Sequence, residues 1–179
     1  TVVIPTFNSS KYIHNALDSI SYQTHTKLEV IVVDDGSNET CAKNIDYLSK
    51  KFFTRYRVIH TANNGVSKAR NLGIKCATGN YIAFADHDDT LAEEAFYQMA
   101  KEISQHPEAD LIYSDEDIID IRGNRLFPHF KPDFNPDYLC CVNYICHLVV
   151  VKRTLLDRTG LLRPEYDGSQ DFDFLLRCT

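Results

Sequence analysis

Four short apolar runs rich in β-branched residues, "TVVI" (1–4), "LEVIVVD" (28–34), "YRVIH" (56–60) and "YIAFAD" (81–86), alternate with stretches at 10–23, 39–52 and 66–77 whose composition suits helices. Strand-like runs separated by helical segments predict βαβ units and a mainly parallel sheet. A further helix over 92–105 leads to a fifth strand, "ADLIYSD" (109–115), so residues 1–115 read as a doubly wound α/β unit with helices on both faces. The pattern then changes. The stretch "DIIDIRGNRLFPHFKPDFNP" (117–136) has a turn signal at Gly123-Asn124 and prolines at 128, 132 and 136, which predicts a hairpin followed by an extended loop. One more apolar strand, "LVVVK" (148–152), a short helix near 153–157, a loop from Gly160 to Gly168 and a final helix with Ser169 as its N-cap follow. Residues 116–179 thus read as a smaller C-terminal portion of the same domain.

At 179 residues the chain is long enough for one domain with a proper core. The formal net charge of -6 argues against a nucleic-acid partner, which selects a basic surface. It leaves room for a phosphate-bearing ligand, which is then expected to bring a cation. The six cysteines form no C-x-x-C pair, so a zinc ribbon or a thioredoxin-type site is not expected. They read as reduced thiols of a cytosolic protein. No apolar run approaches the ~20 residues that span a bilayer, and no signal peptide is visible. The chain starts inside a strand-like run and stops inside a helical one, as a piece of a longer protein would.

Ligands of open α/β sheets bind beyond the carboxyl ends of the strands. There the chain places "PTFNSS", "DDGSN", "TANNG", "DHDDT" and "SDED", of which three are acidic. No G-x-G-x-x-G and no G-x-x-x-x-G-K-[ST] occurs, so neither backbone phosphate cradle is present. Asp86, Asp88 and Asp89 repel one another unless a cation sits among them. Mg²⁺ or Mn²⁺ fits such a set and can hold a diphosphate. Plainer roles compete at each position. Asp89-Thr90 equally suits capping of the helix from 92, "DDGS" suits a turn, "SDED" a solvated turn and His87 a spacer. Asp171, near the start of the last helix, suits a favourable N-terminal charge.

Taken together, "VVIPTFNSSKYIHNALDSISYQT", "EVIVVDDGSNET" and "NNGVSKARNLGIKCATGNYIAFADHDD" resemble the family 2 glycosyltransferases, which have the GT-A fold. "YSDEDIID", "FKPDF", "NYICH" and "GSQDFDFLLR" extend the resemblance to bacterial members that build O-antigen and other surface polysaccharides. The resemblance implies a Rossmann-like, doubly wound sheet. It implies transfer of a sugar from a nucleotide-diphospho-sugar, UDP by default, to a saccharide or lipid-linked acceptor, with inversion and with Mn²⁺ or Mg²⁺. It implies a cytoplasmic enzyme, with room for peripheral membrane association of the full-length protein.

Residue by residue, the resemblance sets Pro5, Thr6 and Phe7 along the base and ribose, and Asp35 as acceptor of a hydrogen bond from the base. Lys68 and Arg70 lie near the diphosphate, although Lys68 equally suits a surface lysine and Arg70 a carboxylate partner. Asp86 and Asp88 match the DxD motif, with Asp88 as the metal ligand and Asp86 at the ribose or a metal-bound water. Asp171 matches the catalytic base. Gln170 stands where many members have Glu, which leaves Asp171 as the single carboxylate of that pair. Asp115, Glu116 and Asp117 are candidates for donor or acceptor contacts. His129, Lys131 and "NYICH" are candidates for the acceptor side, and His147 reads as a packed or surface histidine. A sugar-nucleotide nucleotidyltransferase would want a glycine-rich basic loop after the first strand, which "PTFNSS" lacks. A non-catalytic nucleotide-sugar or saccharide-binding module would have no need of Asp171.

Overall fold

The computed structural model describes residues 1–52 and 56–179. A six-stranded sheet carries the fold: β1 (Val2–Thr6), β2 (Val30–Asp34), β3 (Tyr56–His60), β4 (Tyr81–Phe84), β5 (Leu111–Tyr113) and β8 (Val149–Lys152), in the order β3-β2-β1-β4-β8-β5. The first four are parallel, with Thr6 opposite Asp34 and Asp34 opposite His60. Strand β8 runs antiparallel to both β4 and β5. A second, two-stranded sheet pairs β6 (Glu116–Ile119) with β7 (Arg125–His129) around Gly123, the hairpin expected from the turn signal.

Both faces of the sheet are covered at its centre, which is why β1, β2 and β4 are continuous apolar runs and not alternating ones, whereas the edge strand β3 exposes Arg57 and His60. Side chains sort by the two-residue period. Val3, Ile31, Val33, Ile82, Phe84, Val149 and Val151 face one core. Val2, Ile4, Val30, Val32, Ala83 and Val150 face the other. The first core is closed by α3 (Val66–Cys76), α6 (Arg153–Thr159) and α7 (Gln170–Arg177), through Ala69, Ile74, Leu155, Leu156, Phe174 and Leu175. The second is closed by α1 (Ile13–Ser21), α2 (Glu39–Phe52) and α4 (Ala95–Gln105). Helix α1 shows the expected spacing, burying Ile13, Ala16, Leu17 and Ile20 along one stripe. Helix α3 lies unusually close to β1, since a Cβ on Gly73 would sit 2.4 Å from Val3 Cγ1.

Three expectations need correcting. Strand β5 covers only Leu111–Tyr113 of the expected 109–115; in the sheet, β8 lies between it and β4. The helix expected from 92 begins at Ala95. Its first turn is served by Gln23, whose side chain accepts from the Phe96 amide at 2.9 Å and donates to the Ala92 carbonyl at 2.7 Å, so Asp89 is not its cap. Residues read as extended loop up to 136 run into a helix, α5 (Pro136–Cys141), with Pro136 in its first turn and Asn135 accepting from the Tyr138 amide at 2.9 Å. Ser169 stands at the N-cap position of α7, as expected, without a side-chain cap hydrogen bond.

Candidate active site

The carboxyl ends of the parallel strands and the amino end of β8 share one edge of the sheet, since Phe84 pairs with Val149. Residues just after β4 and just before β8 therefore meet there. The tight loops on this edge are knitted by polar side chains. Asn8 accepts from the Asn38 backbone and side-chain amides, both at 2.9 Å, tying the turn after β1 to the turn after β2. Asp35 is buried and accepts from the amides of Asn64 and Gly65, both at 2.9 Å. Asp34 accepts from the Ser37 amide and pairs with His60 Nδ1 at 2.7 Å. Gly36 has φ +82°, and a Cβ there would lie 2.6 Å from the Asn63 amide nitrogen, so only glycine lets these two loops close on each other. Pro5 and Thr6 are buried at the end of β1, and Phe7 beside them is 48% exposed. Lys68 is exposed on α3.

Arg70 lies on the same helix but points inward and is 1% exposed. Its Nη2 donates to Asp86 Oδ1 after β4, and its Nη1 donates to Asp171 Oδ1 in the first turn of α7. One guanidinium thus joins the first carboxylate of the DxD-like turn to the carboxylate matched as the base. Burial pushes the Asp86 carboxyl up. The charge of Arg70, with His147 and His87, outweighs that and holds it below the ordinary aspartate value. Asp171 Oδ2 accepts from Gln170 Nε2 at 2.9 Å, and Gln170 Oε1 in turn accepts from the Gly168 amide at 2.6 Å. The Gln at this position therefore holds the carboxylate oxygen that Arg70 leaves free.

The other oxygen of Asp86 faces His147. His147 Nδ1 lies 3.8 Å from Asp86 Oδ2 and 3.8 Å from Asp89 Oδ2. These distances are too long for hydrogen bonds. They suit groups arranged around an ion, whose ligand atoms at bond lengths of about 2.1 Å stand roughly 3–4 Å apart. Among the described residues, Asp86, Asp89 and His147 are the group whose ligand atoms all lie within 4.8 Å of one another. Burial raises the Asp89 carboxyl above its ordinary value; Asp86, Asp88 and Glu116 add to that and His147 opposes it. Such crowding of negative charge is what a cation relieves. Two carboxylates and one imidazole fit Mn²⁺ better than Mg²⁺, which prefers oxygen alone. Asp88 lies in the exposed part of the turn, outside this group.

The acidic cluster after β5 has partners of its own. Asp115 accepts from the Lys131 amide at 2.8 Å, and Asp117 from Arg125 Nε at 2.5 Å. Glu116 lies 3.1 Å from His129 Nδ1 and accepts from the His147 amide at 2.5 Å. Of the residues singled out from the sequence, Arg70, Asp86 and Asp171 come together directly, with Glu116 one contact behind. His147 is the residue that sequence reasoning set aside. Its signal was its place immediately before an apolar strand, which leads to the site only if that strand runs antiparallel.

Residues 1–160 match the sequence model of glycosyl transferase family 2. The chain belongs to that family. The O-antigen biosynthesis protein RfbC of Myxococcus xanthus is 34% identical over 181 residues, a match that covers 100% of this chain and 14% of RfbC. The crystal structure of TarS residues 1–349 from S. aureus superposes with a TM-score of 0.80 at 25% identity, covering 99% of this chain and 54% of that one. The same TarS fragment has been crystallised with UDP-GlcNAc, at 22% identity and a TM-score of 0.75. The mannosyltransferase PcManGT of Pyrobaculum calidifontis, solved with GDP-Man and Mn²⁺, matches with a TM-score of 0.71 at 21% identity, over 97% of this chain and 50% of that one. The fold of this family 2 glycosyltransferase is thus the GT-A fold of these neighbours. The chain spans about half of each crystallised chain and a much smaller share of RfbC.

Proposed function

We propose that this chain is the donor-binding and catalytic core of an inverting glycosyltransferase. It moves a sugar from a nucleotide-diphospho-sugar, UDP in the simplest case, to a hydroxyl of a saccharide or lipid-linked acceptor. The product belongs to a surface polysaccharide, and the work is done in the cytoplasm, at the inner face of the membrane where the acceptor is lipid-linked. Residues 1–115 supply most of the donor site and residues 116–179 supply the base, the acceptor side and His147. The observation that carries this reading is the adjacency of one carboxylate, Asp171, to a three-residue ligand group through the single side chain of Arg70.

The chemistry follows from these parts. An acceptor hydroxyl holds its proton too tightly to attack unaided, so a carboxylate must take it as the bond forms. Asp171 is the group for that, oriented by Arg70 on one oxygen and Gln170 on the other. With a single carboxylate on the face opposite the leaving group, displacement occurs once and the anomeric centre inverts, through an oxocarbenium-like transition state by analogy with other sugar chemistry. Asp86, Asp89 and His147 would hold Mn²⁺, which supplies Lewis-acid neutralisation of the departing diphosphate. The bases of the known neighbours' ligands differ, so the nucleotide is open to test. Calorimetry with UDP, dTDP and GDP, with and without Mn²⁺, identifies the donor class. Asp171→Asn then retains that binding and loses about 10²–10⁴-fold in transfer rate, the range of general-base catalysis. Transfer undiminished in Asp171→Asn would overturn the assignment of the base. Binding with no transfer by the wild type, across a panel of acceptors, would favour a binding module.

A further inference from the structure

We propose that Lys131 and Glu116 are positioning residues of the ion site, and that the β6–β7 hairpin exists in part to aim the His147 imidazole at Asp86 and Asp89. The proposal rests on the reading of His147 as an ion ligand. Lys131 was a candidate for the acceptor side, but its side chain is turned inward and is 1% exposed. A buried ammonium is costly unless each of its three donors has an acceptor. Here all three do. Lys131 Nζ donates to the Ile145 carbonyl at 3.0 Å and to the His147 carbonyl at 2.8 Å, and it faces Glu116 Oε2 at 3.4 Å. The same Glu116 oxygen accepts from the His147 amide at 2.5 Å.

The backbone of His147 is therefore gripped at both of its polar groups. Its carbonyl is held by Lys131 and its amide by Glu116, and the two holders pair with each other. The next residue is held too, since the Leu148 amide donates to Ser114 Oγ at 3.2 Å. The hairpin is fastened at the same point from a second side, by the Lys131 amide on Asp115 Oδ1. With the backbone fixed this way, the imidazole is left facing the two aspartates. A plain loop stabiliser would not need a buried charge at this position. A pair that must hold one ligand to within a few tenths of an ångström gains from one, because groups that orient metal ligands typically account for 10–100-fold in metal affinity.

The test measures Mn²⁺ affinity directly, from the paramagnetic resonance signal of free Mn²⁺, without any turnover. Wild type is compared with Lys131→Met, Lys131→Arg, Glu116→Gln and His147→Ala. Lys131→Met should raise the Kd for Mn²⁺ by about 10–100-fold with the number of sites unchanged. Lys131→Arg, which keeps the charge and several donors, should recover part of the loss, and Glu116→Gln should weaken binding about tenfold. A role in folding alone predicts the opposite pattern, with fewer sites per protein and an unchanged Kd, and that result overturns the proposal. If Lys131→Met does not fold, the Kd of Glu116→Gln decides in the same way. His147→Ala separates the two levels. If it leaves the Kd unchanged, the ligand reading itself fails; if it weakens binding while the Lys131 and Glu116 variants do not, only the positioning inference fails.

Discussion

Replacing Arg70 by Met tests whether charge holds the candidate active site together. Met retains much of the apolar stem and removes the guanidinium. The Arg70 side chain is 2% exposed, and its partners Asp86 and Asp171 are 27% and 23% exposed. Removing one member of a buried ion pair costs about 3–5 kcal/mol, because the partner stays charged and poorly solvated. Both aspartates keep some access to water, so the lower end, about 3 kcal/mol at pH 7, is expected. The pH dependence separates charge from packing. In the wild type the Asp86 carboxyl is pushed up by burial but held below its ordinary value by Arg70 and the neighbouring histidines. Its contribution is therefore present above the unfolded value of about 3.9 and is lost as pH falls through the folded one. Without Arg70 the burial penalty dominates and the folded value rises. The variant then binds a proton that its unfolded chain does not, so its stability increases on acidification, by up to about 1.4 kcal/mol per pH unit until about pH 3.9. Urea unfolding followed by circular dichroism, in EDTA to exclude metal, should show the gap between the two proteins narrowing from pH 7 to pH 4.5. A gap of the same size at both pH values would mean that Arg70 acts by packing alone, and a gap under about 1 kcal/mol at pH 7 would mean that the ion pairs are not what holds these elements.

Two further outcomes follow from other parts of the molecule. Gly73→Ala would gain up to about 1 kcal/mol of helix propensity; the new Cβ would meet Val3 Cγ1 at 2.4 Å and Val33 Cγ2 at 3.3 Å, and such overpacking costs about 1–3 kcal/mol. The net effect is a lower melting temperature, and a rise in melting temperature would refute the close approach of α3 to the sheet. His60 is hydrogen-bonded by Asp34 and then by Asp46, which raise its pKa. Its stabilising contribution is full below the unfolded value of about 6.5 and is lost as pH rises through the higher folded value. The His60 side chain is 42% exposed, so the amount is under about 1 kcal/mol. Urea midpoints of wild type and His60→Gln should differ more at pH 5.5 than at pH 9, and an equal difference at both would contradict the pairing.

The sequence disclosed the elements whose signal is local. The central parallel strands β1, β2 and β4 are buried on both faces, so each is an unbroken apolar run, whereas the edge strand β3 carries exposed Arg57 and His60, and the turns after β2 and β4 carry the aspartates that mark the sheet edge. Helix α5 was also legible in principle, because Asn135-Pro136 is an N-cap followed by a first-turn proline, but the neighbouring prolines made the segment look extended. Strand direction is different. Nothing in "LVVVK" says that it inserts between β4 and β5 in the opposite sense, because that choice is made by which edges remain to be paired. His147 reaches the site solely through that choice. The same holds for Lys131, whose burial depends on three acceptors from segments that meet only in the folded chain.

The coupling through Arg70 explains why the motifs of this chain fall where they do. Asp86 and Asp171 stand 16 and 101 residues beyond Arg70 in sequence, on a turn and a helix that would otherwise be free to shift independently. A planar guanidinium fixes both carboxylates to one rigid group, whereas an ammonium is a point charge that would set neither angle. The distance between Asp171, the carboxylate proposed as base, and Asp86, the carboxylate proposed to face the ion, is then determined by the dimensions of one side chain. The in-line displacement proposed above would need that kind of constancy, since an error of about an ångström in the placement of reacting groups can cost about 10²-fold in rate. Arg70 is buried against Phe84, its guanidinium 5.9 Å from the ring centre, so this spacer is itself held by the core of the sheet and not by the loops of the site.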